Sequence, residues 1–371
     1  MKLRIEQRAL ADAAKQAFRR LPGNPANPIL GGLLIEAADS QATLSGFDFE
    51  TATQATLDAD VLEAGKALVS GRLLADVAAA MPAGPIDLVA DDREATLTAP
   101  GTTFTLPTME HRDYPALPTP PGAAGTVDGA NFAAAVVHAA SAAMPPKEAV
   151  GTMEGFAGVH VKADGDDLVV SSSDRYRIVR HRIPWAPDAD GDSELLLPAD
   201  GIAVTAKQMS GSQVRIAFPS TDGAVASLAT AQLAVTSRTI AADFPAIDGF
   251  FPDPDKAVGH IGVGAAELLE AVKRAGLVND GPDQAVVFTV DVDVLTVFGG
   301  AQGTKGASRL EVENGGMDGF TAGYRPGFLS SLLAPVDGPV QIWFTTPNKP
   351  VLIQPVGDDS YRAVCMPVRL K

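Results

Sequence analysis

The stretch RIEQRALADAAKQAF, residues 4–18, sets the plan of the chain because its spacing returns twice. Ile5 is followed five residues later by Leu10, and then by Ala13 and Ala17. TVDGANFAAAVVHAA (126–140) repeats the intervals with Val127, Phe132, Ala135 and Ala139, and GVGAAELLEAVKRAG (262–276) repeats them with Val263, Leu268, Ala271 and Ala275. One apolar residue in an extended segment, then apolar positions at i, i+3 and i+7, predicts a strand running into an amphipathic helix. Alanines on the inward face let such a helix approach a sheet closely. A period of about 120 residues is far too long for a solenoid and points instead to three copies of one domain.

Other features fall in step with that period. A second helical segment is expected at Leu73–Met81, at Ile202–Met209 and at Phe328–Leu333, each behind a Pro, Gly or Ser break. Alternating runs at Gln41–Leu44, Asp167–Ser171 and Val286–Val297 read as half-buried antiparallel strands. Two proline-rich seams, YPALPTPPG (114–122) and FPAIDGFFPDPD (244–255), each open on an aromatic–proline pair after an aspartate, Asp113 or Asp243. Prolines at that density leave few donors for a sheet and mark linkers. The expected architecture is α+β, with three tandem two-helix, antiparallel-sheet domains spanning residues 1–120, 125–250 and 256–371.

Composition narrows the function. With 46% hydrophobic and 20% charged residues, the chain is globular rather than disordered. Its longest near-apolar run, Phe132–Met144, contains His138 and Ser141 and is too short to span a bilayer. No signal-peptide order opens the sequence, and a single cysteine, Cys365, excludes an internal disulfide framework, so a reduced cytoplasmic setting is expected. The 29 basic and 45 acidic residues give a formal charge of −16, which argues against a protein that coats nucleic acid by neutralising phosphates. A chain that gathers its few basic residues on one face is still compatible with that total.

The first repeated helix has such a face. With Leu10 at the centre of the buried side, Arg8, Lys15 and Arg19 cluster opposite. Lys273 occupies the repeat position of Lys15, with Arg274 beside it, whereas the middle copy offers only His138. A solvated helix face explains any one of these stripes, and recurrence in a tandem repeat is what raises weak, non-specific contact with a polyanion as the alternative.

Catalysis finds little support. His111, His138, His160, His181 and His260 are scattered without metal-ligand spacing, and no Gly-x-Ser-x-Gly elbow is present. The run from Gly299 to Lys305 lacks the order of a phosphate-binding loop, and the Gly262-x-Gly264 fragment has Glu267 where a third glycine belongs. Asp48 and Asp174, at equivalent repeat positions after strands, suit turn capping better than acid–base chemistry. Neither a cofactor nor a metal is expected.

Six segments then carry a family resemblance in order along the chain. They are MKLRIEQRALADAAKQAFRRLPGNPANPILGGLLIE (1–36), VSGRLLADVAAAMP (69–82), TLPTMEHRDYPALP (105–118), SSSDRYRIV (171–179), SRTIAADFPAIDGFFP (237–252) and MPVRL (366–370), the last followed by Lys371. Together they resemble the bacterial DNA polymerase III beta subunits, the DNA sliding clamps, of the actinobacterial type. The resemblance implies a non-catalytic processivity factor: a head-to-tail homodimer whose six domains form a ring around duplex DNA, with helices lining the hole. An acidic protein can hold DNA in that way, because a closed ring needs no tight phosphate contact. By the same resemblance Arg8, Lys15, Arg19, Arg20, Arg72, Lys147, Lys207, Lys273 and Arg274 would face the DNA. Phe104 and Leu106 would meet Leu277 and Val278 across the dimer interface.

The resemblance also implies a pocket for short peptides from the polymerase III alpha subunit, the clamp loader and other clamp-binding proteins. Ser173, Arg175, Tyr176, Arg177 and Ile178 would form one wall, and Phe156, Pro245 and Phe250 the deep part. Val364, Met366, Pro367, Val368 and Arg369 of the C-terminal strand would close it, with Phe328 at the edge. Three departures stand out. Asn24 replaces a frequent basic residue, the loop Pro145–Gly155 lacks DNA-facing aromatics and keeps only Lys147 as a base, and Tyr324-Arg325-Pro326 stands where the family usually reads Phe-Asn-Pro. They leave room for a specialised clamp copy or decoy, tolerant of a clamp-directed inhibitor and not productively loaded on DNA.

Overall fold

The computed structural model describes residues 1–23, 25–188, 193–220, 224–301 and 303–370. Asn24, Gln302 and Lys371 therefore lie outside the described residues. Among the described residues each third carries two helices: α1 Gln7–Phe18 and α2 Gly71–Ala80, α3 Gly129–Ser141 and α4 Ala199–Met209, α5 Ala265–Gly276 and α6 Pro326–Leu333. The strands Lys2–Glu6, Gly125–Asp128 and Gly259–Gly264 lead directly into α1, α3 and α5. The repeated apolar residues are the inward ones: Leu10, Ala13 and Ala17, Phe132, Ala135 and Ala139, and Leu268, Ala271 and Ala275 are all buried. Small side chains at two of every three contact positions let the helix backbone sit close to the sheet beneath.

The chain packs into two compact units, and the middle third contributes to both. The first gathers residues 1–130 and 208–239, the second 131–186 and 240–371 with most of α4. Strand pairing explains the grouping. In the first unit Gly32–Ala38, Gln41–Phe47 and Thr51–Asp58 form an antiparallel meander, and Thr51–Asp58 then pairs with Leu233–Arg238 from the middle third. In the second unit Gly158–Asp164, Asp167–Ser173 and Arg177–Pro187 form the equivalent meander, and Arg177–Pro187 pairs with Tyr361–Cys365 from the last third. Each seam is thus bridged by backbone hydrogen bonds, which bury strand edges that would otherwise template association.

Two sequence expectations change in detail. Val286–Val297 is a hairpin of Val286–Asp291 and Val294–Ala301 rather than one strand, turning where Val292 takes a φ of 53°. No glycine or proline stands there to announce the turn. The terminal MPVRL is not strand either: pairing ends at Cys365, and the following residues run as a tail held by one bridge, Val368 to Gly323.

Candidate functional site

The site is assembled around the tight turn joining Asp167–Ser173 to Arg177–Pro187. Asp174 closes it, its Oδ1 accepting the backbone N–H of Tyr176 at 3.0 Å and of Arg177 at 2.8 Å. Ser173 Oγ accepts from the Arg175 N–H at 3.1 Å and donates to the Arg177 carbonyl at 2.8 Å. These bonds hold Arg175 at a φ of 77°, a left-handed conformation that is costly for a residue with a Cβ. The outcome is a turn that thrusts Arg175 and Tyr176 outward and points Arg177 inward.

Beneath the turn, Ile178, Ile247 and Val364 form a buried cluster with Phe244 and Phe251 packed on it. Strand register sets Ile178 opposite Val364, and Met366 N–H donates to the Tyr176 carbonyl at 2.8 Å, fixing the far wall. Phe156 arrives on the short helical segment Gly151–Ala157, which can lie against the second seam only because residue 155 is glycine. A Cβ there would fall 2.2 Å from the Asp243 carbonyl oxygen. The result is a largely apolar groove of about 290 Å³. That is at the small end for ligand sites, suited to one or two apolar side chains rather than a cofactor.

Of the residues expected here, Phe156, Ser173, Arg175, Tyr176, Ile178, Pro245, Phe250, Val364 and Met366 line the groove. Arg177 does not. Its guanidinium turns away to Asp174 Oδ2 (2.9 Å), Ser331 Oγ (2.6 Å) and the Ser141 carbonyl (2.8 Å), and lies 4.6 Å from the centre of the Phe328 ring. Phe328 stacks behind Tyr176 with centroids 6.1 Å apart and braces the wall without lining it. Pro367 is not among the lining residues, while Val368 and Arg369 border a separate hollow beside Asp283 and Lys305. The reason is the end of the strand at Cys365, beyond which the tail departs from the groove. Ile247 and Pro350 line it unexpectedly. Ile247 carried a signal, two residues after Pro245 in an alternating seam, but Pro350 lies in a loop far along the chain and carried none.

Behind the groove sits a polar cluster. His138 Nδ1 lies 2.7 Å from His181 Nε2, and His138 Nε2 lies 2.9 Å from the Ser331 carbonyl. A carbonyl only accepts, so with both rings neutral His138 carries its proton on Nε2 and accepts at Nδ1 from His181. Tyr361 stacks on His181 and donates to the Leu332 carbonyl at 2.7 Å. Burial pushes His138 down to about 4 and His181 down to about 3, so both are neutral near pH 7. Burial likewise pushes the Cys365 thiol up to about 12, which makes it an inert core group rather than a nucleophile.

Three family models match in tandem: DNA polymerase III beta subunit N-terminal domain over residues 1–118, central domain over 129–246 and C-terminal domain over 251–369. The chain belongs to the DNA polymerase III beta subunit family. The beta sliding clamp of Streptomyces coelicolor is 36% identical over the whole of both chains. A beta sliding clamp homolog of Streptomyces muensis, GriR, is 30% identical over all of this chain and 99% of its own length. A Pseudomonas aeruginosa sliding clamp solved with griselimycin shares the fold, with a TM-score of 0.92 and 18% identity over the whole of both chains. The family is that of the beta sliding clamps, processivity factors rather than catalytic enzymes.

In this clamp-family chain the candidate DNA-facing residues lie on helices or just beyond them, or in the loop after α3. Arg8, Lys15 and Arg19 are exposed at α1, Arg72 on α2, Lys147 after α3, Lys207 on α4, and Lys273 and Arg274 on α5. Arg20 is only half-exposed, with its Nε buried. Several are tempered by a neighbouring acid: Arg8 by Asp12 at 3.9 Å, Arg72 by Asp76 at 3.8 Å, and Lys273 by Glu270 at 2.9 Å. Exposed pairs of this kind are weak. Acids match bases in number on α2, α4 and α5, and α1, followed by Arg19 and Arg20, keeps the basic excess.

Of the candidate dimer residues, Leu277 is 82% exposed just past α5 and Phe104 is 37% exposed on Thr102–Met109, paired with Glu94–Ala99 on one side. Leu106 departs from expectation. It is 5% exposed and belongs to the core of its own unit, because Phe104 and Leu106 share a strand face that is covered only at Leu106.

Proposed function

We propose that two copies of this chain close head to tail into a ring around duplex DNA, and that the groove beside Tyr176 tethers polymerase and clamp-loader peptides to it. The modules of that ring are residues 1–120, 125–250 and 256–371, and the protein acts in the cytoplasm. The observation that carries this reading is the joining of a full-length clamp-family match to an apolar groove walled by Tyr176, Ile178, Val364 and Met366. A topological hold accommodates a chain of charge −16, since sliding is favoured by faint contact and hindered by strong phosphate pairing.

The decisive experiment is loader-dependent retention on circular DNA with release on linearisation. Retention without release, or none despite an intact dimer, would refute the ring reading. Contact of the Phe104 edge strand with the helix end at Leu277 across the interface predicts that the Phe104→Ala/Leu277→Ala double variant sediments as a monomer; an unchanged dimer removes that assignment. A second reading, a specialised copy tolerant of clamp inhibitors, is favoured by Arg325 at the groove's edge. Griselimycin binding to the purified chain tests it, and affinity equal to that of an ordinary clamp counts against it.

A further inference from the structure

We propose that Arg325 makes the groove selective for partner peptides that carry a carboxylate beside the apolar residues filling it. The inference rests on the peptide-groove reading above and deepens it. Arg325 stands at the start of α6, its guanidinium 5.3 Å from the Tyr176 ring centre and 5.2 Å from that of Phe328. Tyr176 lines the groove while Arg325 does not, so the charge stands beside the Tyr176 wall at the groove's margin. Two aromatic faces fix the guanidinium in place, and little side-chain freedom remains to be lost when a ligand binds.

What the charge lacks is a committed partner. Its acid is Asp283, reached by one contact of 3.4 Å, and the Asp283 side chain is 79% exposed. An exposed, single-contact ion pair is weak, so an incoming carboxylate can displace it and take the guanidinium fork in bidentate fashion. Arg177 shares the Phe328 ring but is buried and occupied by Asp174, Ser331 and Ser141. Arg175, which lines the groove, is exposed and forms no ion pair among the described residues. The groove rim is therefore cationic on a strongly acidic chain, the inverse of the overall charge.

The test uses the full chain and a panel of nine-residue peptides ending in Leu-Phe. A single Glu is walked through the four preceding positions, and each peptide is compared with its Gln isostere by fluorescence anisotropy. At one position the Glu peptide should bind about tenfold tighter, with the preference shrinking at high salt. Arg325→Gln should bring the Glu/Gln ratio near one, whatever it does to the affinity of both peptides, and Asp283→Asn should raise the ratio. A wild-type ratio near one at every position, or a preference that survives Arg325→Gln, overturns the proposal and leaves the groove reading standing. If no peptide binds, or binding is indifferent to Met366→Ala, the groove reading and the proposal fall together.

Discussion

The turns Asp48–Thr51 and Asp174–Arg177 occupy the same place in successive repeats and share one backbone device. Asp48 Oδ1 accepts from the N–H groups of Glu50 (3.0 Å) and Thr51 (2.7 Å), and Phe49 has a φ of 73°, matching Arg175 at 77°. Their surroundings differ. Beside the first turn, Tyr114 fills the centre with Leu34, Phe47, Ala52 and Leu68, and its hydroxyl donates toward the Gly32 and Ser45 carbonyls, 3.4 Å from each. The shallow hollow left there is bordered by Glu36, Lys66, His111 and Arg112, with Lys66 paired to Glu36. Beside the second, Phe244 stacks aside on His160 and an apolar groove stays open. A repeated scaffold supplies the turn; whether it becomes the wall of an open groove depends on what occupies the seam below.

The largest contrast should come from the last residue of each turn. Arg177→Ala leaves Asp174 buried and unpaired and should cost about 3–5 kcal/mol in the second unit, with loss of peptide binding. Thr51→Ala, its counterpart, removes one hydroxyl contact to Ser237 and should cost about 1 kcal/mol. Urea unfolding compares them, and similar costs would dissolve the distinction drawn here.

Acid should separate the units next. The folded pKa values of His138 and His181 lie below the unfolded value near 6.5, so protonation favours the unfolded chain. Their contribution is complete above pH 6.5 and is lost as pH falls towards about 4 for His138 and about 3 for His181. Both tryptophans, Trp185 and Trp343, lie in the second unit, so their fluorescence follows it alone. The unfolding midpoint read that way should fall between pH 7 and 4.5, and a His138→Gln/His181→Gln variant should show a shallower fall. A smaller effect is expected of Asp48→Ala, about 1–2 kcal/mol through its lost turn bonds with peptide affinity unchanged. Asp174→Ala also strips Arg177 of its counter-ion, so it should cost at least as much as Arg177→Ala and weaken peptide affinity. Smallest is Tyr324→Phe, which removes a buried hydroxyl without a partner among the described residues and should leave stability unchanged or raise it by about 1 kcal/mol.

Much of the fold was legible because it rests on local periodicity. Leu10, Ala13 and Ala17 announce a helix and its buried side in one pattern, and finding the pattern three times announces the repeat. The turn at Val292 was invisible because a β-branched residue at positive φ contradicts its own propensity and is held there by tertiary structure. In the site, residues within the segments that carry the family resemblance, such as Ile178, Pro245 and Val364, could be anticipated through it. Pro350 could not, because only the folded sheet brings its loop to the groove. Arg177 and Leu106 show a third kind of gap: the family resemblance implied a groove wall for one and contact with a partner subunit for the other, while packing turned both inward. Direction within a fold is decided by neighbours that the local sequence does not contain.

The pairing of Arg177–Pro187 with Tyr361–Cys365 has a consequence for biogenesis. Tyr176 and Ile178 are synthesised long before Val364 and Met366, so for most of its time on the ribosome a nascent chain carries only half of the groove. A product truncated ahead of Tyr361 would keep the turn and lose the opposite wall. The complete groove therefore exists only in polypeptides translated through Tyr361–Cys365 and on to Met366.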